Sequence, residues 1–265
     1  QMGAVLLAFE GMSILSLLIQ KKRIPVAIWI QMVITFAAFV ILFMAPGNDM
    51  RVASEIATWM PGYKELSVGS HLFMTIQWML SSFANEGKAF FVAIWAAGFL
   101  LLMKSKKAKV YQILTVVFSV AAILPYAGIS FFSEMGIGDI DIEQCLMELP
   151  TWQSMTTQNR IAFFWWIAAV LFTLVLLWKV TGHSVFISMV FLGGIASEAV
   201  LHFSPTIYAS GARVYYLTDL MYLFIILWMV MHMDSEKKKN LFIAGVVVLG
   251  VANFLSQYSI MLLKL

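Results

Sequence analysis

Three carboxylates stand inside apolar runs of this sequence: Glu10, Glu198 and Asp219. A carboxylate in such a run is costly to bury, so it usually faces the interior of a helix bundle and marks a functional path. Glu198 and His202 are four residues apart and share one helix face. Arg213 and Asp219 are six apart, which sets them roughly 120° apart around a helix axis, bordering one wide face. Glu198, His202, Arg213 and Asp219 thus form a candidate polar seam between two consecutive helices. An interhelical hydrogen-bonding clamp is the alternative use of the same residues. Glu10 lies seven residues past Gly3, where its run begins, and can face the same vestibule.

Two short turns carry further candidates. "APGNDMR", Ala45 to Arg51, closes an apolar run with a proline and a glycine. Proline does not continue a helix easily and glycine reaches positive φ, so the sequence predicts a sharp stop that presents Asn48, Asp49 and Arg51. A plain C-cap with Arg51 snorkelling to lipid phosphate is the alternative. "HFSPTIYASGARVYY", His202 to Tyr216, holds Ser204 and Pro205, then Ser210, Gly211 and Arg213. A cation in the first helical turn opposes the macrodipole, so Arg213 points to a bound acid or phosphate; snorkelling to the interface is the alternative. The planar fork of an arginine suits phosphate oxygens. Arg51 and Arg213 are therefore expected to clamp one anionic headgroup.

No metal-ligand cluster, nucleotide-binding loop or Ser-His-Asp pattern is present, and no cofactor is expected. Cys145 is the sole cysteine, so no intramolecular disulfide forms. The basic runs adjoin the ends of apolar segments and read as topology and anionic-lipid signals, not as a nucleic-acid surface.

The elements that position these residues follow from composition. The chain of 265 residues is 62% hydrophobic and 12% charged, with a mean hydropathy of +0.89. Such values lie far outside soluble norms. Apolar runs recur without the alternation of barrel strands. The expectation is an all-α polytopic transmembrane bundle with spans near 3–20, 25–45, 88–103, 110–132, 160–180, 183–203, 212–233 and 241–263. The segment 71–83 is expected to lie in the outer interface or to be re-entrant, with a short ordinary span as the alternative. Residues 1–265 read as one transmembrane domain with external loops at 46–87 and 133–159. The start "QMGAV" reads as the beginning of a C-terminal piece of a longer chain.

Charge sets the orientation. Lys21, Lys22, Arg23, Lys104, Lys106, Lys107, Lys109, Lys179, Lys237, Lys238 and Lys239 fall on one side under this count. Arg51, Lys64, Lys88, Arg160, Arg213 and Lys264 fall on the other. Eleven bases against six make the first side cytoplasmic and both termini external.

"GAVLLAFEGMSIL", "APGNDMR" and "FSPTIYASGARVYY", in that order, resemble a family of bacterial polytopic membrane proteins compared with GT-C and glucosyltransferase-like proteins of the cell envelope. The resemblance implies a glycosyltransferase of the bacterial cytoplasmic membrane. Its donor would be a polyprenyl-phosphate-linked sugar, used at the outer face, and its acceptor a glycan or glycolipid. Asn48 and Arg51 match the family's "APGN…R" turn; Ser204, Pro205 and Arg213 match its "SP…R" turn. The early acidic external loop typical of GT-C enzymes has no counterpart here. Glu198, or Glu10, would then serve as the acid, with His202 and Asp219 lining the site. The competing expectation is a non-enzymatic transporter or lipid-handling protein with a polar path through Glu198, His202 and Asp219.

Overall fold

A computed structural model describes residues 2–45, 47–105, 108–124, 151–182, 184–200, 204–207 and 215–263. His202, Arg213 and most of the loop expected at 133–159 lie outside the described residues. The described residues form an all-α structure of ten α-helices. In chain order these are α1 (Met2–Ile19), α2 (Val26–Phe43), α3 (Asn48–Trp59), α4 (Val68–Asn85) and α5 (Lys88–Leu102). There follow α6 (Lys109–Ile123), α7 (Thr157–Val180), α8 (Val185–Ala199), α9 (Tyr216–Met231) and α10 (Glu236–Leu263).

Local chemistry explains the breaks. Helix α1 ends where Lys21 takes φ 52° and the Lys22 and Lys21 amides bond back to the Leu17 and Leu18 carbonyls, a Schellman-type close. Pro25 then sets φ −59° at the entrance of α2. Ser67 caps α4 by accepting the Ser70 amide, and Thr156 caps α7 by accepting the Asn159 amide.

Helix α5 is the hub, packing against α4, α6, α7, α9 and α10. Its apolar residues recur all round the helix, and Phe91, Ile94, Trp95 and Ala97 are fully buried. Phe91 sits among the rings of Phe83, Trp95, Trp166, Phe191 and Tyr222, at centroid distances between 5.1 and 6.1 Å. Such aromatic pairs add about 0.5–1.5 kcal/mol each beyond area burial. Trp95 donates its indole N–H to Thr173 Oγ1 at 2.8 Å, tying α5 to α7.

The described part of each of the eight runs expected to span lies largely in a helix. Length separates them. Among the described residues α7 alone is long and apolar enough to cross a membrane by itself; α4 and α5, bent by 68° at their junction, pass together. The described parts of α6, α8 and α9 are 15, 15 and 16 residues. At 1.5 Å per residue that is about 22–24 Å, short of a hydrocarbon core of about 30 Å.

One local expectation is narrowed and another revised. Residues 71–83 belong to a longer helix, α4, whose C-terminal half from Gln77 to Ala84 is buried continuously. That half enters the bundle and does not lie across its surface, which sets aside the interfacial position; with α5 bent from it by 68°, the pair is a broken span or the re-entrant arrangement also expected. The "APGNDMR" segment is no plain stop. Gly47 takes φ 89° and starts a new helix at Asn48. Helix α3 is exposed along most of its length.

Candidate functional site

The polar residues gather at one end of the bundle, where α4 turns into α5, α8 ends and α9 begins. Glu198, one residue before the end of α8, is 1% exposed. Ser82 of α4 lies with its Oγ 2.9 Å from Glu198 Oε2 and 3.0 Å from the Met79 carbonyl, so one hydroxyl proton serves two acceptors. Thr218, in the first turn of α9, stands 2.6 Å from the Ser197 hydroxyl and donates to the Gly194 carbonyl at 3.0 Å. These hydroxyls stitch α8 to α9 beside the carboxylate.

Two more acids complete the cluster. Asp219, next along α9, is half-buried, and Glu86 stands exposed at the α4–α5 corner. Both carboxylates act electrostatically on Glu198, and Asp219 acts on Glu86. At the corner, partial desolvation and then the Asp219 charge push the Glu86 carboxyl above its ordinary range. The cluster is thus graded inward from Glu86 through Asp219 to Glu198. Tyr215 flanks it, with its ring 5.0 Å from that of Trp78. Beneath it, the rings of Phe83, Phe91, Phe191 and Tyr222 fill the bundle.

Backbone approach is close here for a reason visible in the sequence "GGIASE". A Cβ on Gly194 would lie 2.9 Å from Tyr222 Cε1 and 3.5 Å from Thr218 Cγ2. Glycine lets α9 sit near enough for Thr218 to reach the α8 backbone. The Tyr222 hydroxyl and Gln77 Oε1 are buried with no hydrogen-bond partner among the described residues.

The other sequence candidates fall elsewhere. Glu10 is 5% exposed on the α1–α2 seam, where Thr35 donates to its Oε1 at 2.8 Å. Its second oxygen has no partner among the described residues. Arg51, 77% exposed on its side chain, holds Glu55 at 2.8 Å through Nε within α3. Asn48 opens α3. Ser204 bonds the Thr206 hydroxyl at 2.7 Å and accepts the Thr206 amide, closing a local turn. The structure therefore brings Glu198 and Asp219 together and places Glu10 in a different seam.

Ser82, Glu86 and Thr218 are the residues that sequence reasoning passed over. The signal for Ser82 and Glu86 was faint: a hydroxyl pair and an acid in "SSFANEGK", just before the Gly87 break, in a segment expected as external loop; Thr218 was one hydroxyl beside Asp219 in "YLTDL". Among the described residues no group of three or more His, Cys, Asp or Glu side chains is arranged to hold a metal ion.

Comparison with family models, curated proteins and solved structures returned no match to this chain. The GT-C resemblance accordingly rests on the sequence motifs alone.

Proposed function

We propose that the chain is a polytopic membrane bundle of about eight spans whose acidic end faces the outer side of a bacterial cytoplasmic membrane. There it acts as a glycosyltransferase-like protein on a lipid-phosphate-linked sugar. Exposed apolar surface supports the membrane reading. Val26, Val33, Ile34, Phe36 and Ile41 of α2 are each more than half exposed. A soluble monomer seldom leaves so continuous an apolar face open to water.

The observation that carries the catalytic reading is the convergence of Glu86, Asp219 and Glu198 at one end of the bundle. An enzyme working on a headgroup wants its acids in a vestibule at one surface. A transporter path through Glu198, His202 and Asp219 would want polar groups continuing across the midplane. Directly inward of the acids the path meets aromatic packing around Phe91, not further acids or histidines among the described residues.

Roles follow from the grading. Asp219 is open enough to accept the proton of an acceptor hydroxyl as general base. Glu198, enclosed and held by Ser82, fixes the α8–α9 junction that carries Asp219. Arg51 and Arg213 are the cations proposed to meet the donor phosphate, with Asn48 and Ser204 shaping their turns. Glu10 belongs to the α1–α2 seam and takes no proton in this scheme.

The test is turnover. Purified protein is incubated with polyprenyl-phosphate-linked sugars, and release of polyprenyl phosphate is followed. Release that falls by about 10²–10⁴-fold in Asp219→Asn supports the scheme. Absence of release with every donor, together with solute-driven proton movement in liposomes, supports the transporter instead.

A further inference from the structure

Helices α6 and α10 both pack against α5 and leave a groove between them that runs lengthwise along the bundle. It encloses about 440 Å³ and is almost wholly apolar, with Phe99, Leu100, Val116, Val120, Leu241 and Phe242 among its walls. Toward the end away from the acids, α6 and α10 each carry a lysine in register with the groove, and a third lysine follows the end of α5. Lys104 follows Leu100 by four residues, Lys109 precedes Val116 by seven, and Lys237 precedes Leu241 by four. Within α6 and α10 those spacings return to the same side of the helix, and Lys104 lies in the turn just past α5. All three lysines are exposed.

The nearby acids do not neutralise this rim. Asp234 is shared between Lys104 at 2.7 Å and Lys238 at 2.9 Å, and Glu236 holds Lys239 at 2.8 Å. Two carboxylates thus face five lysines, counting Lys109 and Lys237.

We propose that this groove binds an anionic phospholipid. One acyl chain lies between α6 and α10 against α5, and the phosphate sits at Lys109 and Lys237. The proposal rests on the membrane reading given above. Its physical content is a division of labour. Lipid tails are as apolar as the groove walls, so the walls alone do not distinguish one phospholipid from another. The headgroup does, because each lysine near the surface adds attraction for an anionic lipid. The walls fix where the chain lies; the rim fixes which lipid it belongs to.

The experiment offers the purified protein equal amounts of phosphatidylglycerol and phosphatidylcholine with matched acyl chains and reads bound lipid by native mass spectrometry. We expect phosphatidylglycerol to be retained about tenfold over phosphatidylcholine. Lys109→Gln with Lys237→Gln should bring the ratio close to one. Gly245 lines the groove, and a Cβ there meets nothing within 4 Å. Gly245→Trp should therefore enter the groove with no clash at its Cβ and remove both lipids. Equal retention by the unmodified protein overturns the proposal. So does undiminished phosphatidylglycerol binding in Gly245→Trp, which would mean that lysines bind headgroups without the groove. Alkaline carbonate extraction separates the two levels of failure. A chain released into solution overturns the membrane reading and this site with it; a chain that stays in the membrane but shows no lipid preference overturns the site alone.

Discussion

Ser82 and Glu198 are 116 positions apart in sequence, and their side chains meet at 2.9 Å in the interior of the bundle. The contact fastens α4 to the end of α8. It also adds a second hydroxyl donor to that of Thr218 on the buried carboxylate. Removing one partner of such a bond costs about 1–3 kcal/mol where the remaining group is left buried and unsatisfied. Ser82→Ala leaves Glu198 with Thr218 and should therefore lower thermal stability in detergent by the lower end of that range. Glu198→Gln keeps the shape and an acceptor oxygen and should cost less. A double-mutant cycle should return a coupling of about 0.5–3 kcal/mol; strict additivity would mean that the two residues do not interact.

The α8–α9 seam predicts a contrast between two glycines. A Cβ on Gly194 would press on the ring of Tyr222, which is 1% exposed and boxed in by other aromatics. A Cβ on Gly98 would meet Leu176 Cδ2 at 2.8 Å and its Cδ1 and Cγ at 3.2 Å; Leu176 is fully buried, but a leucine has alternative rotamers that a rigid ring lacks. Gly194→Ala should cost about 1–3 kcal/mol by overpacking, and Gly98→Ala clearly less. Thermal unfolding of the two variants side by side measures the difference. Equal losses would mean that Tyr222 is freer to move than its packing indicates.

Much of the fold was legible because apolar runs interrupted by Lys, Pro and Gly leave little choice of element. "KKRIP" had to separate two helices, and "KSKKAK" two more. Glu198 and Asp219 were legible as anomalies in apolar surroundings. Helix α3 was hidden because "NDMRVASEIATW" has no long apolar stretch, although Asp49 in its first turn suits a helix start. The partners of Glu198 and Glu10 were hidden for another reason. Ser82 and Thr35 are chemically ordinary, and only the packing of α4 on α8 and of α1 on α2 brings them to their carboxylates.

The opposite end of the bundle is held by the Lys104–Asp234–Lys238 bridge. Hydrogen bonds from Lys104 and then Lys238 lower the Asp234 carboxyl to about 2. A carboxyl depressed in the folded state stabilises the fold above its unfolded value of about 3.9, and that contribution disappears as pH falls through about 2. Asp234→Asn should therefore lower the unfolding temperature at pH 7. At pH 2 the variant and the unmodified protein should converge. A gap that persists unchanged at pH 2 would rule out the ionised bridge as its source.

Topology is open to labelling. Ser54 lies exposed on α3, while Ser105 and Ser235 lie on the lysine-rich end. Cysteine at Ser54 should react with an impermeant reagent added outside intact cells, and cysteine at Ser105 or Ser235 should not. Outside labelling at Ser105 would reverse the assignment of the two ends and move the acid cluster to the cytoplasmic side.

The central claim is that the acids at the α4–α5, α8 and α9 junction perform chemistry on a lipid-phosphate-linked sugar. The most direct measurement is single-turnover release of polyprenyl phosphate from a labelled donor by the unmodified protein, Asp219→Asn and Glu198→Gln. The account predicts that Asp219→Asn lowers the chemical rate by about 10²–10⁴-fold with donor binding retained. It predicts that Glu198→Gln, acting through position, lowers the rate far less. Equal rates for the unmodified protein and Asp219→Asn would contradict it.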